Sequence, residues 1–373
     1  MLKSDRSRVV VRYSELDSGR PDFHENISRN ETASKLAKLK AWEFAGDYDP
    51  GKDYPAPLYF IPDDTLVGVE AARQLGIHDE RDLFGGIVPY PFVATKTITH
   101  PLVDRGAQAP DGWRHDLGER LQDAVLYGFT AFSRDDARRA GMLVLQRGAA
   151  RVKPSRGIGG RGQVVVSAAA ELDKVIEGLN EWELSRYGVV VEQNYENIVT
   201  YSVGQVRVGE LLATYYGTQN LTKDNNAAMV YGGSALIVSR GDYDALLELD
   251  IAPNMRCVID KARAYEAAVA EAFPEWLASR RNYDVAEVID SEYRRNCGVL
   301  EQSWRIGGAS PAEIAALHAF QADPGLRAVR ATSAEIYGTA EVPPQAAVHF
   351  QGVDERLGPI TKYAVVQDYD SSR

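Results

Sequence analysis

Cysteine is almost missing from this chain of 373 residues, which contains only Cys257 and Cys297. Two thiols cannot form a disulfide framework or a cysteine-based zinc site, and so few are typical of a protein from a reducing compartment. The six histidines form neither an H-x-x-x-H nor an H-E-x-x-H pattern, so a histidine metal site has no support. These absences exclude the disulfide-rich and zinc-dependent classes.

Long apolar runs and a surplus of positive charge are lacking as well. No stretch approaches the roughly 18 consecutive apolar residues of a membrane span. The N-terminal segment MLKSDRSRVVVRY has no apolar core of the kind that a signal peptide needs. Asp and Glu number 53 against 42 Lys and Arg, a net charge of −11, which argues against binding to nucleic acid or an anionic membrane. We therefore expect a cytoplasmic protein with neither nucleic acid nor membrane as a partner.

The order of the apolar segments predicts an α/β protein. Short strand-like runs at 9–11 and 58–61 alternate with helical stretches at about 31–44 and 66–75, which is the alternation of an α/β layer. Further strands are predicted near 151–153, 163–166, 189–191, 283–289 and 298–301, and longer helices near 133–146 and 255–276.

Two helix starts are marked by capping residues. Ser133 precedes Asp135 and Asp136, whose carboxylates suit the first turn of a helix. Ser310 is followed by Pro311 and, at the third helical position, by a glutamate, which predicts a capping box.

The sharpest motif is a glycine-rich segment in which Gly157, Gly159 and Gly162 satisfy the pattern G-x-G-x-x-G. Such glycines let backbone N–H groups approach a phosphate closely. A dinucleotide fingerprint needs a helix directly after the loop, but residues 163–166 are Gln-Val-Val-Val, which is typical of a strand. The segment has no Walker G-K-[ST], and the kinase tripeptides H-R-D and D-F-G do not occur in the chain. An ordinary hairpin turn and a phosphate-binding flap both remain open.

The order of the motifs resembles that of the ATP-grasp superfamily. In that family a lysine precedes a flap of small residues, an acidic residue follows at the adenine hinge, and two later strands carry acidic metal ligands, the second within E-x-N-x-R. This chain has Lys153 before the flap and Val-Val-Val-Glu192-Gln-Asn-Tyr195 at the hinge. It has Glu301-Gln-Ser-Trp-Arg305-Ile-Gly-Gly at the metal position. The chain is most similar to a bacterial branch of unknown function with the variant E-Q-S-W-R-x-G-G-A-S-P.

This resemblance covers about residues 90–320 and implies an ATP-grasp fold made of two α+β lobes. It implies an N-terminal α/β domain at 1–105 and a small lobe with the glycine flap at 106–195. The large lobe, with the metal site and a C-terminal extension, would then occupy 196–373.

The resemblance also assigns roles to particular residues. ATP would be bound by Lys96, Lys153, Gly157, Gly159, Gly160, Gly162, Glu192, Gln193 and Tyr195. Mg²⁺ would be held by Asp284, Glu301 and Ser303, and the transferring phosphoryl group would be stabilised by Arg305 and Arg281. Asp290 competes with Asp284 as the first metal ligand. Ser303 replaces the usual asparagine, and Thr200 stands near the place of the carboxylate that holds the ribose.

The reaction implied is an ATP-dependent ligation through an acyl phosphate. Most members of known activity join a carboxylate to an amine or a thiol, so the expected partners are small-molecule carboxylate and amine substrates, and a homodimer is open. The alternatives are an ATP-binding protein that has lost ligase chemistry and a small-molecule kinase with the same fold.

Overall fold

The computed structural model describes residues 8–14, 23–157, 162–196, 198–289 and 295–369, which form 18 strands and nine α-helices. The strands are β1 (Val9–Tyr13), β2 (Glu43–Asp47), β3 (Leu58–Pro62), β4 (Leu66–Val67), β5 (Gly86–Val88), β6 (Gly128–Ala131), β7 (Ala150–Pro154), β8 (Val164–Val166), β9 (Val189–Gln193), β10 (Ile198–Val208), β11 (Leu211–Lys223), β12 (Met229–Arg240), β13 (Leu277–Ala278), β14 (Arg280–Ile289), β15 (Arg295–Ser303), β16 (Ala328–Tyr337), β17 (Ala347–Asp354) and β18 (Gly358–Asp368). The helices are α1 (Phe23–Lys40), α2 (Val69–Gln74), α3 (His115–Arg120), α4 (Arg134–Leu145), α5 (Ala169–Glu177), α6 (Glu181–Tyr187), α7 (Tyr243–Leu247), α8 (Pro253–Ala272) and α9 (Ser310–Ala322).

Two small sheets form most of the first half of the molecule, and a third small sheet has the order β13-β5-β4. The N-terminal sheet has the parallel order β2-β1-β3, and α1 packs on it, so the predicted α/β layer is confirmed. The second sheet has the antiparallel order β6-β9-β7-β8 and is covered by α4 and α5. Because β7 and β8 pair on either side of the glycine segment, the predicted strand–loop–strand arrangement is confirmed.

A large antiparallel sheet forms the second half, with the order β15-β14-β10-β11-β12-β16-β18-β17. Side chains alternate between its two faces. Val203 of β10 packs in the same cluster as the buried side of α8, whereas Val206 of that strand packs with α9. The sheet is therefore covered by α8 on one face and by α9 on the other.

Several predicted boundaries shift in the structure. The helix expected at 31–44 runs from Phe23 to Lys40, and the residues after it belong to β2. The long helix expected at 255–276 is α8, Pro253–Ala272. Ser133 caps α4 as predicted, since its Oγ accepts a hydrogen bond from the backbone N–H of Asp136. None of the helices in the described ranges combines the length and apolar character needed to cross a membrane.

The predicted capping box at α9 is wrong because its glutamate has another partner. Glu313 is completely buried and accepts hydrogen bonds from the guanidinium of Arg280, at 2.7 and 3.0 Å, and from Tyr215 Oη at 2.5 Å. The same guanidinium donates to the backbone oxygens of Ser303 and Arg305. A buried ion pair thus ties α9 to β14 and to the segment that follows β15.

Loss of one partner of the Arg280–Glu313 pair should lower the free energy of unfolding. Glu313→Ala leaves a buried guanidinium without its carboxylate, and such changes cost about 3–5 kcal/mol. We expect a drop of that size in the free energy of unfolding, measured by urea denaturation. Glu248→Ala, which breaks the exposed pair of Glu248 with Arg327, is the control and should have a small effect. Equal effects of the two changes would contradict the structure.

A second prediction concerns His349 of β17, which is buried against α1 and lies 3.2 Å from the Oγ of Thr32. Burial and the charges of Lys35 and Lys362 lower the pKa of His349 to about 4, although the charge of Glu31 opposes them. An unfolded histidine titrates near 6.5, so the stability that the folded state gains from keeping His349 neutral is present in full above that pH. It should be lost as the pH falls towards 4, by up to roughly 3 kcal/mol.

Urea denaturation between pH 8 and pH 4 tests this expectation. His349→Gln should remove most of the acid-linked loss, because the glutamine carries no titratable group. His115→Gln, at an exposed histidine on α3, should retain the loss of the parent protein. An unchanged pH dependence in His349→Gln would assign the effect to other groups.

Candidate active site

Two carboxylates face each other at the edge of the large sheet. In the antiparallel pair β14–β15, Asp284 lies opposite Glu301, and Asn282 lies opposite Ser303. Because side chains two residues apart share a face of a strand, these four polar residues lie on the same face. The ladder shifts register directly after Asp284.

Asp284 is partly buried and has polar neighbours. Its Oδ1 accepts hydrogen bonds from Gln219 Nε2 at 2.7 Å and from Asn282 Nδ2 at 3.0 Å. Burial raises the pKa of Asp284, and the charge of Glu301 raises it further, to about 6, against the effect of these donors. A carboxylate whose pKa is raised by burial and by a neighbouring carboxylate lies at a site that a cation would stabilise.

The residues present fit Mg²⁺. That ion prefers oxygen ligands and is often bound through one or two carboxylates and substrate phosphates. Within the described ranges, no group of three or more His, Cys, Asp or Glu side chains is arranged to hold a metal. Asp284 and Glu301 could thus supply two carboxylates, and further oxygens would have to come from the substrates.

In the structure, Lys96 is the counter-ion of Glu301. Its Nζ lies 2.5 Å from Glu301 Oε2 and donates a hydrogen bond of 3.0 Å to the backbone oxygen of Gly157. The lysine side chain is only 4% exposed. The buried ammonium group of Lys96 therefore connects β15, which carries Glu301, with the start of the glycine flap.

A second buried lysine lies at the predicted hinge. Lys153 Nζ forms an ion pair with Glu192, and His100 Nε2 lies 3.4 Å from the other oxygen of that carboxylate. Burial would raise the pKa of Glu192, but Lys153 and His100 lower it to about 2. Gly128 is required beside this group, because a Cβ at that position would lie 2.9 Å from Glu192 Cβ.

The other hinge residues follow directly along the chain. Gln193 ends β9, and Tyr195 Oη donates a hydrogen bond of 3.3 Å to Gln193 Oε1. Gly157 and Gly162 border the flap, and Gly162 has a φ of +76°, which favours glycine. Gly159, Gly160 and Asp290 lie outside the described residues, so their predicted roles stay predictions.

The two predicted arginines lie in different places. Arg305 is 21% exposed and its Nε lies 3.5 Å from Asp64 of the N-terminal half, near the carboxylate pair. Arg281 points to the opposite face of β14, because its position alternates with that of Asp284. Its guanidinium binds Glu80 at 2.5 Å and Glu266 at 3.0 Å. The structure therefore does not bring Arg281 to the carboxylates, which corrects the expectation drawn from the family resemblance.

A cavity of about 240 Å³ opens beside the carboxylate pair. It is lined by Tyr13, Pro62, Asp64, Thr65, Leu66, Val67, Pro91, Ala94, Thr95, Lys96, Ser155, Arg156, Gly157, Arg186, Tyr187, Glu301, Gln302, Ser303 and Arg305. The cavity thus has walls from both small sheets and from the large sheet.

Four residues of the site were missed by sequence reasoning. Asn282 precedes Asp284 by two positions, so the alternation of a strand could have found it. Arg280, by the same rule, shares that face, and its guanidinium donates to Ser303 Oγ at 3.3 Å. Gln219 and His100 reach the site from distant elements and carry no motif, so nothing in the local sequence indicates them.

Solved structures with a similar fold have low sequence identity to this chain. N5-carboxyaminoimidazole synthetase from Staphylococcus aureus matches with a TM-score of 0.50 and 12% identity, over 98% of this chain and 94% of that one. Biotin carboxylase from Campylobacter jejuni matches with a TM-score of 0.48 and 11% identity, over 97% and 88%. Phosphoribosylamine–glycine ligase from Thermotoga maritima has a TM-score of 0.47 and 13% identity, over 96% and 91%.

At such identities the likeness to the staphylococcal enzyme shows the fold alone, and it confirms the predicted α/β ATP-grasp fold with an N-terminal α/β domain. No curated protein matches the sequence. The family model described as "Protein of unknown function (DUF3182)" matches residues 11–364, and the chain therefore belongs to this family.

Proposed function

We propose that the chain is a Mg²⁺- and ATP-dependent ligase that activates a carboxylate as an acyl phosphate and transfers the acyl group to an amine or a thiol. The observation that carries the proposal is the facing pair Asp284 and Glu301, with two buried lysines on the adjoining elements. We further propose the domain boundaries 1–105, 106–195 and 196–373.

The lysines are the first argument. Burial of an ammonium group is unfavourable unless a negative charge lies beside it. Lys96 is paired with Glu301 and Lys153 with Glu192, so each lysine has a carboxylate partner without a ligand. The phosphate oxygens of ATP could take over as partners, which would free Glu301 for a cation.

The carboxylate pair is the second argument. Mg²⁺ held at this pair would supply positive charge for the transferring phosphoryl group. Asp284 and Glu301 would hold the ion, and Gln219 and Asn282 orient Asp284 by donating to its Oδ1. Ser303 stands at the position of the asparagine in the family's motif, so its Oγ corresponds to the oxygen of the asparagine amide.

Arg305 completes the proposed chemistry. A carboxylate oxygen of the acid substrate attacks the γ-phosphorus of ATP, the bond to the bridging oxygen breaks, and ADP leaves. The nitrogen or sulfur of the second substrate then attacks the acyl carbon, loses a proton, and phosphate leaves. Arg305 lies beside the carboxylates on the cavity wall, where a guanidinium can bind the negative oxygens of both steps.

A second candidate, an ATP-binding protein without ligase activity, is favoured by one observation. Ser303 offers a hydroxyl where the family has an amide oxygen, and that hydroxyl already accepts a hydrogen bond from Arg280. Loss of a strong ligand at this position would weaken metal binding and leave nucleotide binding intact.

The nucleotide site is tested with Lys153→Met. Mg·ATP should raise the melting temperature of the parent protein, because a ligand of the native state stabilises it. The variant should bind ATP about 10- to 100-fold more weakly in calorimetry, the effect of losing a charge-assisted hydrogen bond. Lys174→Met removes an exposed lysine of the same lobe and should bind normally.

Since Lys153→Met leaves Glu192 buried without its counter-ion, binding is measured at a temperature where circular dichroism shows both variants folded. If Lys153→Met binds ATP like the parent protein, the phosphate contact must lie elsewhere. If the parent itself shows no binding of ATP or ADP, the proposed function fails.

The carboxylate pair is tested with Asp284→Asn and Glu301→Gln. Each change should abolish ADP release in the presence of Mg²⁺, ATP and an acid substrate. Asp284→Asn should lower the melting temperature of the metal-free protein little, because it removes one of two neighbouring carboxylates. Glu301→Gln also removes the counter-ion of buried Lys96, so ADP release is measured at a temperature where circular dichroism shows both variants folded. Glu335→Gln, at a residue of β16 that pairs with Lys362, is the control and should keep full activity.

The alternative function gives a different result. A binding protein would take up ATP in all three variants and in the parent without releasing ADP. Full ADP release by Glu301→Gln would exclude that glutamate from the chemistry.

A further inference from the structure

The cavity is lined by residues of β15 and by residues of the N-terminal half of the molecule. Its walls include Glu301 and Ser303 of β15, together with Tyr13 and Thr65. None of the hinge residues Glu192, Gln193 and Tyr195 is among its lining residues. In the proposed ligase the adenine would lie at the hinge, so this cavity lies on the side of the acid substrate.

Positive charge dominates the cavity wall. Four of the lining residues are basic, and two of these have carboxylate partners: Lys96 pairs with Glu301, and Arg305 pairs with Asp64. The other two, Arg156 and Arg186, have no carboxylate within 4 Å in the described part of the chain. The wall therefore has a surplus of two positive charges, in a protein whose net charge is −11.

Both unpaired arginines are exposed and lie at one aromatic ring. The guanidinium of Arg156 lies 5.1 Å from the ring centroid of Tyr187, and that of Arg186 lies 5.6 Å from it. Arg186 Nε also donates a hydrogen bond of 3.3 Å to Tyr187 Oη, and its guanidinium lies 5.6 Å from the ring of Trp182. By contrast, Lys96 is buried. The two arginines thus mark the mouth of the cavity and Lys96 its floor.

Two guanidinium groups held at one ring are well placed for an anion. Their like charges repel each other, and a carboxylate or phosphate bound between them would remove the repulsion. Each guanidinium can donate two parallel hydrogen bonds to such a group. Their attachment to the Tyr187 ring restricts their motion, so less conformational entropy is lost on binding.

We infer that Arg156 and Arg186 bind a second anionic group of the acid substrate, which is therefore a dianion. One carboxylate would react beside Glu301 and Arg305, and a second carboxylate or a phosphate would lie at the mouth. This inference rests on the proposed function, since it takes the cavity to be the site of the acid substrate. It goes beyond that function by naming the substrate class.

Calorimetry with matched acids tests the inference. The probes are glutarate and 3-phosphoglycerate, which each carry two anionic groups, and the monoanion valerate, which has the chain length of glutarate without its second carboxylate. Each is titrated into the full chain, both without nucleotide and with Mg²⁺ and a non-hydrolysable ATP analogue. We expect at least one dianion to bind about tenfold or more tightly than valerate.

Arg156→Gln and Arg186→Gln should each reduce the affinity for that dianion about tenfold and leave the affinity for the ATP analogue unchanged. Arg147→Gln is a matched control, because Arg147 is an exposed arginine of the same small sheet region. It stacks on Tyr127 at 3.6 Å and is not part of the cavity wall. It should bind both ligands like the parent protein.

Two results would overturn the inference. The first is that neither dianion binds more tightly than valerate. The same conclusion follows if both arginine variants bind the tighter dianion as well as the parent protein does. The second is that these variants lose affinity for the ATP analogue instead, which would assign the arginines to the nucleotide phosphates. Failure of the proposed function is distinct, because it appears as absent nucleotide binding in the parent, while the titrations without nucleotide still measure the dianion.

Discussion

The juxtaposition of two carboxylates across one pair of antiparallel strands is the constraint on which the rest of the site depends. Asp284 and Glu301 lie opposite each other because β14 and β15 pair in a single register. Like charges so close are unfavourable, and the surrounding groups offset this. Gln219 and Asn282 donate to one carboxylate, and Lys96 neutralises the other. A cation together with phosphate would satisfy the same charges.

The buried pair of Arg280 and Glu313 supports this arrangement from behind. Its guanidinium binds the backbone oxygens of Ser303 and Arg305, so the chain is fixed where β15 ends and the cavity wall begins. Tyr215 connects the pair to Asn282, because its Oη lies within 3.0 Å of Asn282 Oδ1. The site is thus held by a fully buried polar network and by the strand ladder together.

Local patterns predicted the elements of the fold better than the contacts of the site. The strand–loop–strand form of the glycine segment followed from Gln-Val-Val-Val after the loop, since β-branched residues favour strands. The role assigned to Arg281 followed from the family resemblance, but its position alternates with that of Asp284 along β14, so its side chain lies on the other face of the strand. The ion pair of Lys153 with Glu192 depends on the pairing of β7 with β9, which no short motif encodes.

The contact between α1 and β17 has a consequence for the order of assembly. Thr32 and His349 are in contact although 317 residues separate them, and His24 binds Asp354 on the same strand. During synthesis the N-terminal sheet is made first. Strand β17, against which α1 packs, leaves the ribosome much later. The contact between α1 and β17 can therefore form only after nearly the whole of the large sheet has been translated.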